Sequence, residues 1–583
     1  MSHTATEPTA PSEQGATQEA EVKTSSVILL FIGLMLAMFM FSLNQTMLAT
    51  ALPTIVGDLN GVDQMLWVST AFMLASTIMM PIYGKLGDSF NRKKIFIFAI
   101  CMFILGSVVG FAAHSMAVLI TARVIQGLGG GGLIILAQSL IAAVVPARQR
   151  GKYMGIMGAN FAVTSVAGPL IGGWITEGPG WRWTFALNWP FGVLALIAAM
   201  LFLKVPKSDR SVKRHVDYAG MILIAEFTTA LILTTSWGGH QYDWNDPIII
   251  GLIGIAVLSA VVFVFVERAV PEPIIPMFVF TDRNFIMCTI AGMCIAVGMF
   301  GVLSYMPTFL QMAHGIEATK AGLLMVPMMA VMLPTSIAVG FIVSKTGRYK
   351  YYPVIGSAIV GVALFLMGTF VSADQNVLVV IGCLCVLGLG LGLSMQMLVL
   401  IVQNSFPVAM VGTATASNNF FRQIGGTLGM SLIGALFTSR LSANLEDGIK
   451  SLGPQGGAAL KGAGSNSLTP EVVTSLPDPI HSIIINAYSD ALVPIFLWVS
   501  PLGIIAALTL LFVREKALAT KVDGPEAQPP REVVATDSIA VVEQPGSLTP
   551  AGSSSVNDEI EFETATRAAA GGNSRERAHS PKH

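Results

Sequence analysis

The sequence predicts an all-α integral membrane protein of fourteen spanning helices, built as two six-helix bundles with a two-helix hairpin inserted between them. Three observations predict it. Of 583 residues, 53% are hydrophobic and only 11% charged, against roughly 25% charged in a soluble domain. Basic residues collect in alternate connections between the apolar runs. One of those basic connections returns later in the chain.

So few charges cannot coat a water-soluble protein of this length, and a single soluble core of this size is disfavoured. The net charge of -1 leaves no basic footprint for nucleic acid. The five cysteines, Cys101, Cys288, Cys294, Cys383 and Cys385, all lie inside apolar runs, which suits free thiols acting as small hydrophobes.

Residues 1–26 are polar, with one basic residue, Lys23, and read as a disordered N-terminus. A secretory signal would need a basic leader, a short apolar stretch and a cleavage site. Instead the first apolar run, from Ser26 to about Met47, reaches the ~20 residues that cross a bilayer. It reads as a retained first helix. Further runs of spanning length lie near 66–83, 95–113, 116–136, 154–176, 184–203, 218–236, 247–266, 285–309, 321–343, 352–371, 377–402, 413–438 and 490–512. They divide the chain into a first bundle (27–204), the hairpin (217–266) and a second bundle (285–514). Residues 440–489 read as a long outer loop rich in Gly, Ser and Pro, its end leading into the last helix. Residues 515–583 lack an apolar period and read as a disordered tail.

Charge placement tests the count. Lys85, Arg92, Lys93 and Lys94 follow the second span; Arg148, Arg150 and Lys152 the fourth; Lys204, Lys207, Arg210, Lys213 and Arg214 the sixth; Lys345, Arg348 and Lys350 the tenth. The opposite connections hold chiefly Arg182 and Lys320. By the positive-inside rule the basic connections and both termini are cytoplasmic, in a multi-pass protein of the cytoplasmic membrane.

The repeat sets the architecture. GKLGDSFNRKK (84–94) returns as GFIVSKTGRYK (340–350), aligning Gly84 with Gly340, Arg92 with Arg348 and Lys94 with Lys350. The copies follow the second and tenth spans. Direct repetition of six-helix halves would put the second copy after the eighth, so one hairpin has been inserted. Parallel halves around a central site are a transporter plan.

Four motifs carry further chemistry. In the loop 84–94, Gly84 and Gly87 permit a tight turn, and Asp88 sits close to Arg92. In LITARVIQGLGGGG (119–132), Arg123 lies well inside the fourth span. A charge at helix centre costs about 2.5–3.5 kcal/mol on insertion scales, so it should face an interior partner or a watery cavity, with Gln126 at i+3 sharing its face. In VAGPLIGGW (166–174), Gly168, Gly172 and Gly173 make a surface for close helix contact and Pro169 removes a backbone hydrogen bond. SLNQTMLATALP (42–53) carries Asn44, Gln45 and Thr46 at the end of the first run.

With these motifs the chain resembles the major facilitator superfamily, and within it the fourteen-helix drug:proton antiporter branch, over residues 27–514. The resemblance implies that loop 84–94 closes the cytoplasmic gate through Asp88 and Arg92. It implies that Arg123 serves proton coupling or substrate binding, and that Gly-Pro-x-x-Gly-Gly marks export over uptake. Gly340 and Arg348 would be the counterparts in the second half. Three departures are visible: Ser89 where Arg is usual, Asn91 where Gly is usual (Asn tolerates positive φ, so the turn is expected to survive), and Asn44 where drug exporters of the branch usually carry Asp. Asn cannot ionise, although its amide still donates and accepts.

A proton must therefore ride elsewhere. Glu226, in DYAGMILIAEFTTALIL, is the one acid read as deep within a span, where burial would raise its pKa. It is a coupling candidate beside Arg123 and Asp88. The alternative is a neutral Glu226 hydrogen-bonded to Thr228, Thr229 or a neighbouring helix, which the hairpin's expected place outside the core favours.

Candidate cavity residues come from the central helices of both halves: Asn44, Gln45, Thr46, Gln126, Asn160, Asn188, Trp189, Tyr305, Gln396, Asn418, Asn419, Arg422 and Gln423, with apolar surface from Phe161, Met299, Phe300, Met395 and Met397. An unsatisfied amide in hydrocarbon costs several kcal/mol, which is why the polar ones are informative. With Arg123 and Arg422 inside and Asn44 uncharged, the pocket suits neutral, zwitterionic or anionic lipophilic substrates over dications.

The expected function is secondary active export of small amphipathic compounds, exchanged for protons by alternating access, with the protein acting as a monomer. One charge crossing 100 mV supplies about 2.3 kcal/mol, which sustains a gradient on the order of 40-fold. A coupled carrier is favoured over a nucleotide pump, since there is no phosphate loop, Gly-x-x-x-x-Gly-Lys-Ser/Thr, and no soluble domain large enough to hydrolyse nucleotide. No metal-ligand cluster, nucleophile elbow or paired intramembrane carboxylates argue for an enzyme. Two other readings stand beside the first: a dedicated exporter of one antibiotic, amino acid or lipid, and a non-transporting scaffold or sensor whose tail recruits partners.

Overall fold

Lipid offers no partner for a backbone N–H or C=O, so each apolar run closes its hydrogen bonds internally as a helix. The computed structural model describes residues 24–61, 64–203, 215–239, 241–451 and 480–520. Among them are fourteen helices long and apolar enough to cross a membrane. They are α1 (Thr24–Asp58), α2 (Met65–Ser89), α3 (Arg92–Phe111), α4 (Met116–Val144) and α5 (Ala147–Glu177), then α6 (Trp183–Phe202). The hairpin is α7 (Tyr218–Trp237) and α8 (Pro247–Ala269). Next come α9 (Arg283–His314), α10 (Lys320–Thr346), α11 (Tyr351–Phe370), α12 (Val377–Ser405), α13 (Val411–Ser451) and α14 (Ile480–Leu511). No strand occurs among the described residues. The N-terminal 1–23, Asp63, His240, the basic residues Lys204 to Arg214, the centre of the expected outer loop (452–479) and the tail beyond 520 lie outside them.

Short polar side chains set where several helices start. Ser115, Asp217, Asp246, Asp282 and Asn376 each accept a first-turn backbone N–H, of Val118, Gly220, Ile248, Phe285 and Leu378 respectively, satisfying donors the helix itself cannot. Asn91 caps α3, accepting from Lys93 N and Lys94 N. It works in extended backbone, φ -71, so a cap rather than a left-handed turn explains Asn there.

Burial ranks the helices. Of its apolar window, 78% is buried in α4 against 17% in α8, so α4 is central and α8 outermost. Val257, Leu258 and Phe265 on α8 are each at least 60% exposed, a surface that only lipid solvates favourably. The five cysteines are free.

The described boundaries correct three expectations. First, α1 continues past Met47 to Asp58, with Pro53 inside it, because Ala51, Ile55 and Val56 still bury against Val68, Trp181 and Phe185. Second, residues 440–451 and 480–489 are helix and not loop. Leu441 and Leu445, one turn apart, pack on Ile484 and Ala487, and Lys450 pairs with Glu446 at i,i+4. Third, the tail does not leave the protein at residue 515. Val513 and Leu518 are buried in the core of the second half. Glu515 accepts the N–H groups of Tyr349 and Lys350 just before α11, where a helix start favours a carboxylate. Burial raises the pKa of the Tyr349 hydroxyl, which donates to Lys516 O and accepts Lys516 N.

Candidate functional site

Arg123 is 1% exposed, and a buried guanidinium requires acceptors for its N–H groups. Neutral groups supply them: Nε donates to Val68 O at 3.1 Å, Nη1 to Asn44 Oδ1 at 2.6 Å and Gln126 Oε1 at 2.8 Å, and Nη2 to Gln45 Oε1 at 2.9 Å. The ring of Phe72 lies under the guanidinium, 4.1 Å away. Gln126 in turn donates to Ser107 Oγ at 2.8 Å. α1, α2, α3 and α4 thus converge on one cation, and no carboxylate pairs with it among the described residues.

A second polar cluster joins the halves. Asn419 on α13 donates to Gln138 Oε1 on α4 at 3.2 Å, and Gln403 on α12 donates to Gln138 O at 3.3 Å and Thr415 Oγ1 at 3.3 Å. Arg422 Nη2 donates to Asn419 Oδ1, while its Nη1 meets only the soft sulfur of Met395 at 4.0 Å. Asn418 donates to Thr289 Oγ1 on α9 at 3.1 Å. The side-chain oxygens of Gln396 and Gln403 are buried without partners.

The end of the molecule that carries loop 84–94 is where the halves interlock. Asp88 accepts from Arg92 Nη2 at 2.6 Å, Gly412 N at 3.1 Å and Thr413 N at 2.6 Å, and Arg92 also donates to Val408 O at 2.6 Å. α2 and α13 cross closely: a Cβ on Gly84 would strike Ala416 and come within 2.8 Å of Gly412 O. The pseudo-equivalent crossing is α10 on α5. A Cβ on Gly340 would strike Gly151 O, and one on Gly155 would lie 2.5 Å from Ser336 O. Further along α5, Phe161 is 37% exposed.

The two copies of the repeat are not chemically equal. Ser344 stands four residues after Gly340, where the first copy has Asp88 after Gly84. Arg348 is exposed, and its backbone N–H donates to Thr346 Oγ1. At the position that matches Asp88 there is thus no acid for Arg348 to meet. Arg148 at the start of α5 reaches over instead, donating to Lys345 O at 3.0 Å and Ser344 O at 3.4 Å.

Other expected residues fall outside these clusters. Glu226 is exposed, not buried: Gly220, Ile224, Thr228 and Ile232 form the inward face of α7 at i,i+4 spacing, and Glu226 sits on the opposite side. The Thr228 hydroxyl has no partner and Thr229 donates to Ala225 O, so neither holds it. Asn188 donates to Thr184 O at the start of α6, and Trp189 stacks on Phe111, centroids 5.2 Å apart. Tyr305 donates to Met430 O and packs on Phe437. Thr46 donates to Thr164 O at 3.0 Å, fixing α1 on α5. Gly168 and Gly172 border that contact, Gly168 against Thr46 and Gly172 against Thr50 and Met47 O; Gly173 faces open space. Pro169 lies within the same helix. Asn160 is buried on α5.

Three groups escaped the sequence reading: Gln138, Gln403 and the acid pair Asp217–Glu267 at the foot of the hairpin. A polar residue within an apolar run was the available signal for the glutamines. Glu267 stands next to Arg268 at a helix end, and its local sequence does not set it apart from a surface acid.

A fourteen-helix bundle whose two halves meet at one end through polar contacts, with a buried cation in the first half, is the plan of a membrane carrier. Residues 34–430 match the Major Facilitator Superfamily, and the chain belongs to it. It is 36% identical over 425 residues to the multidrug transporter protein MdtP of Bacillus subtilis, covering 73% of this chain and 78% of that one. It is 32% identical over 505 residues to multidrug resistance protein 3 of the same species, covering 85% and 97%. Its fold is similar to that of the proton:xylose symporter XylE, with TM-score 0.55 at 15% identity, covering 85% and 98%.

Proposed function

We propose that the protein exports small amphipathic compounds from the cytoplasm in exchange for protons, rocking two six-helix halves about a central passage as a monomer. The basic loops, by the positive-inside rule, orient the interlocked end and both termini toward the cytoplasm of a cytoplasmic membrane. The observation that carries the reading is the interlock: Asp88, Arg92 and the glycine crossings hold the halves with contacts that a rigid-body rotation can break and remake.

Arg123, surrounded by neutral acceptors, leaves a positive charge at the centre of the first half, and Arg422 adds another in the second. These charges support neutral, zwitterionic or anionic lipophilic cargo. The names of the relatives, a multidrug transporter and a multidrug resistance protein, support drug transport. Glu226, on the outside of the hairpin, is not part of this proposal; Asp88 and Arg123 stay in it as groups whose charge state bears on coupling.

The test is efflux from everted vesicles across a compound panel, with and without an uncoupler. Transport abolished by the uncoupler and by Arg123→Ala supports the reading. Transport indifferent to both overturns it.

A further inference from the structure

The inserted hairpin returns to the second bundle through residues 270–276, and there two buried acids face each other. Asp217 is 6% and Glu267 2% exposed. Glu267 is spoken for on both oxygens: Oε1 accepts Ile274 N at 3.3 Å and Oε2 accepts Ile275 N at 3.2 Å. Asp217 Oδ1 caps α7 through Gly220 N at 2.8 Å. Its other oxygen, Oδ2, is buried with no hydrogen-bond partner. That oxygen and Glu267 Oε1 border the same small space, since a Cβ on Gly220 would touch the first and lie 2.8 Å from the second.

Two carboxylates cannot both stay ionised at such close quarters away from water. An oxygen with no donor beside an oxygen that accepts is the geometry a single proton completes. Around the pair stand Lys85 of α2, which bonds Glu272 of the connecting segment at 3.5 Å, and the exposed His215, Tyr218 and Arg268 on the rim. From α13 come apolar Phe420 and Ile424, which pack with Ile224, Ile274 and Ile275. This roof is dry. Lys85 shields from one side only and is engaged with Glu272.

We infer that Asp217 and Glu267 form a proton-binding site, sharing one proton between Asp217 Oδ2 and Glu267 Oε1. The proton is held by the pair and not by either residue alone. The site is roofed by α13 and flanked by Lys85 of α2. Its charge is felt by Lys85, adjacent to Gly84 in the α2–α13 crossing and three residues before Asp88. Uptake or loss of the proton therefore alters the field at the interlock. The inference goes beyond the export reading and does not depend on the cargo.

Infrared difference spectroscopy on the full-length protein in lipid nanodiscs tests it without any transport readout. At neutral pH the wild type should show the C=O stretch of a buried protonated carboxyl, lost on raising the pH. Asp217→Asn and Glu267→Gln should each lose that band, and the exposed Glu446→Gln should keep it. Because Glu267→Gln replaces one of the two oxygens that each accept a backbone N–H with an N–H₂, that variant is open to misfolding; Asp217→Asn keeps the cap and supplies an amide donor toward Glu267. The folded wild type holds a proton that the unfolded chain releases, so its melting temperature should fall as the pH rises through neutrality. Asp217→Asn should flatten that slope. A wild-type spectrum without the band, or a band and a slope that survive Asp217→Asn, overturns the assignment, whatever the vesicles transport.

Discussion

Asn44 Oδ1 lies 2.6 Å from Arg123 Nη1, so a neutral amide holds the central cation at the position where the antiporter branch usually carries an acid. The bond satisfies a proton without cancelling the charge. An Asp there would form a buried ion pair and remove the net positive potential from the first half. Asn44→Asp should therefore lower efflux of anionic compounds by about tenfold, ~1.4 kcal/mol of lost attraction, and raise that of cationic ones. Competition assays in vesicles check it. An unchanged selectivity profile removes Arg123 from recognition.

Arg123→Lys separates charge from geometry. An ammonium keeps the charge but cannot span Val68 O, Asn44, Gln45 and Gln126 at once. Transport should fall by about tenfold or more, and the melting temperature should drop, since Gln45 and Gln126 lose a donor in a buried site. Wild-type rates in the lysine variant would mean that charge alone matters.

At the interlock, Asp88 is the acceptor for three donors from both halves. Asp88→Asn keeps one oxygen but turns an N–H₂ toward N–H groups it cannot accept. Removing one member of a buried pair costs about 3–5 kcal/mol, here charged against the closed state. Spin labels on the ends of α2 and α13 that bear the gate should report a longer distance in the variant. An unaltered distance distribution would relieve Asp88 of its gating role.

Much of this was legible in the sequence, for reasons that particular residues make plain. Hydrophobic runs and alternating basic loops fix the helix count because a continuous apolar run of about twenty residues closes its backbone hydrogen bonds in lipid as a helix, and Arg123 is identified by its cost at mid-span. The facing of a single polar residue is harder. Glu226 and Thr228 are two positions apart, yet one points out and the other in, and only the i,i+4 row of Gly220, Ile224 and Thr228 separates them. The Asp217–Glu267 encounter lies between residues fifty positions apart at two helix ends, and no local period encodes it. Arg348 marks the limit of the repeat: the cation recurs, but Ser344 stands where the first copy has its acid.

The helix crossings give a paired prediction. Gly340 packs against Gly151 O and Gly155, whereas Gly173 has nothing within 4 Å. Gly340→Leu should wedge α10 from α5 and abolish transport while favouring the state open at the interlocked end. Gly173→Leu should transport normally. Cysteine-accessibility labelling along α5 reads the first outcome directly; equal behaviour of the two variants would show that the crossing is not tight.

The first residues beyond α14 form a clasp, and truncation separates it from the rest of the tail. Val513 and Leu518 bury in the second half, Lys516 exchanges hydrogen bonds with Tyr349 and receives one at its carbonyl from Asn404, and Arg148 N on α5 donates to Ala519 O at 3.0 Å. The segment thus ties the start of α5, in the first half, to the end of α14, in the second. Burying one leucine side chain contributes about 2 kcal/mol and each hydrogen bond about 1 kcal/mol. A chain ending at Thr520 should keep the full-length melting temperature and transport rate. One ending at Arg514 loses Leu518 and the Tyr349, Asn404 and Arg148 contacts together, and should melt lower by on the order of 5 °C. Because the Arg148 contact bridges the halves, the shorter chain should also open more readily at this end, detectable as faster labelling of a cysteine placed at Ser344. A scaffold whose tail recruits partners predicts the reverse order, with the chain ending at Thr520 already inactive.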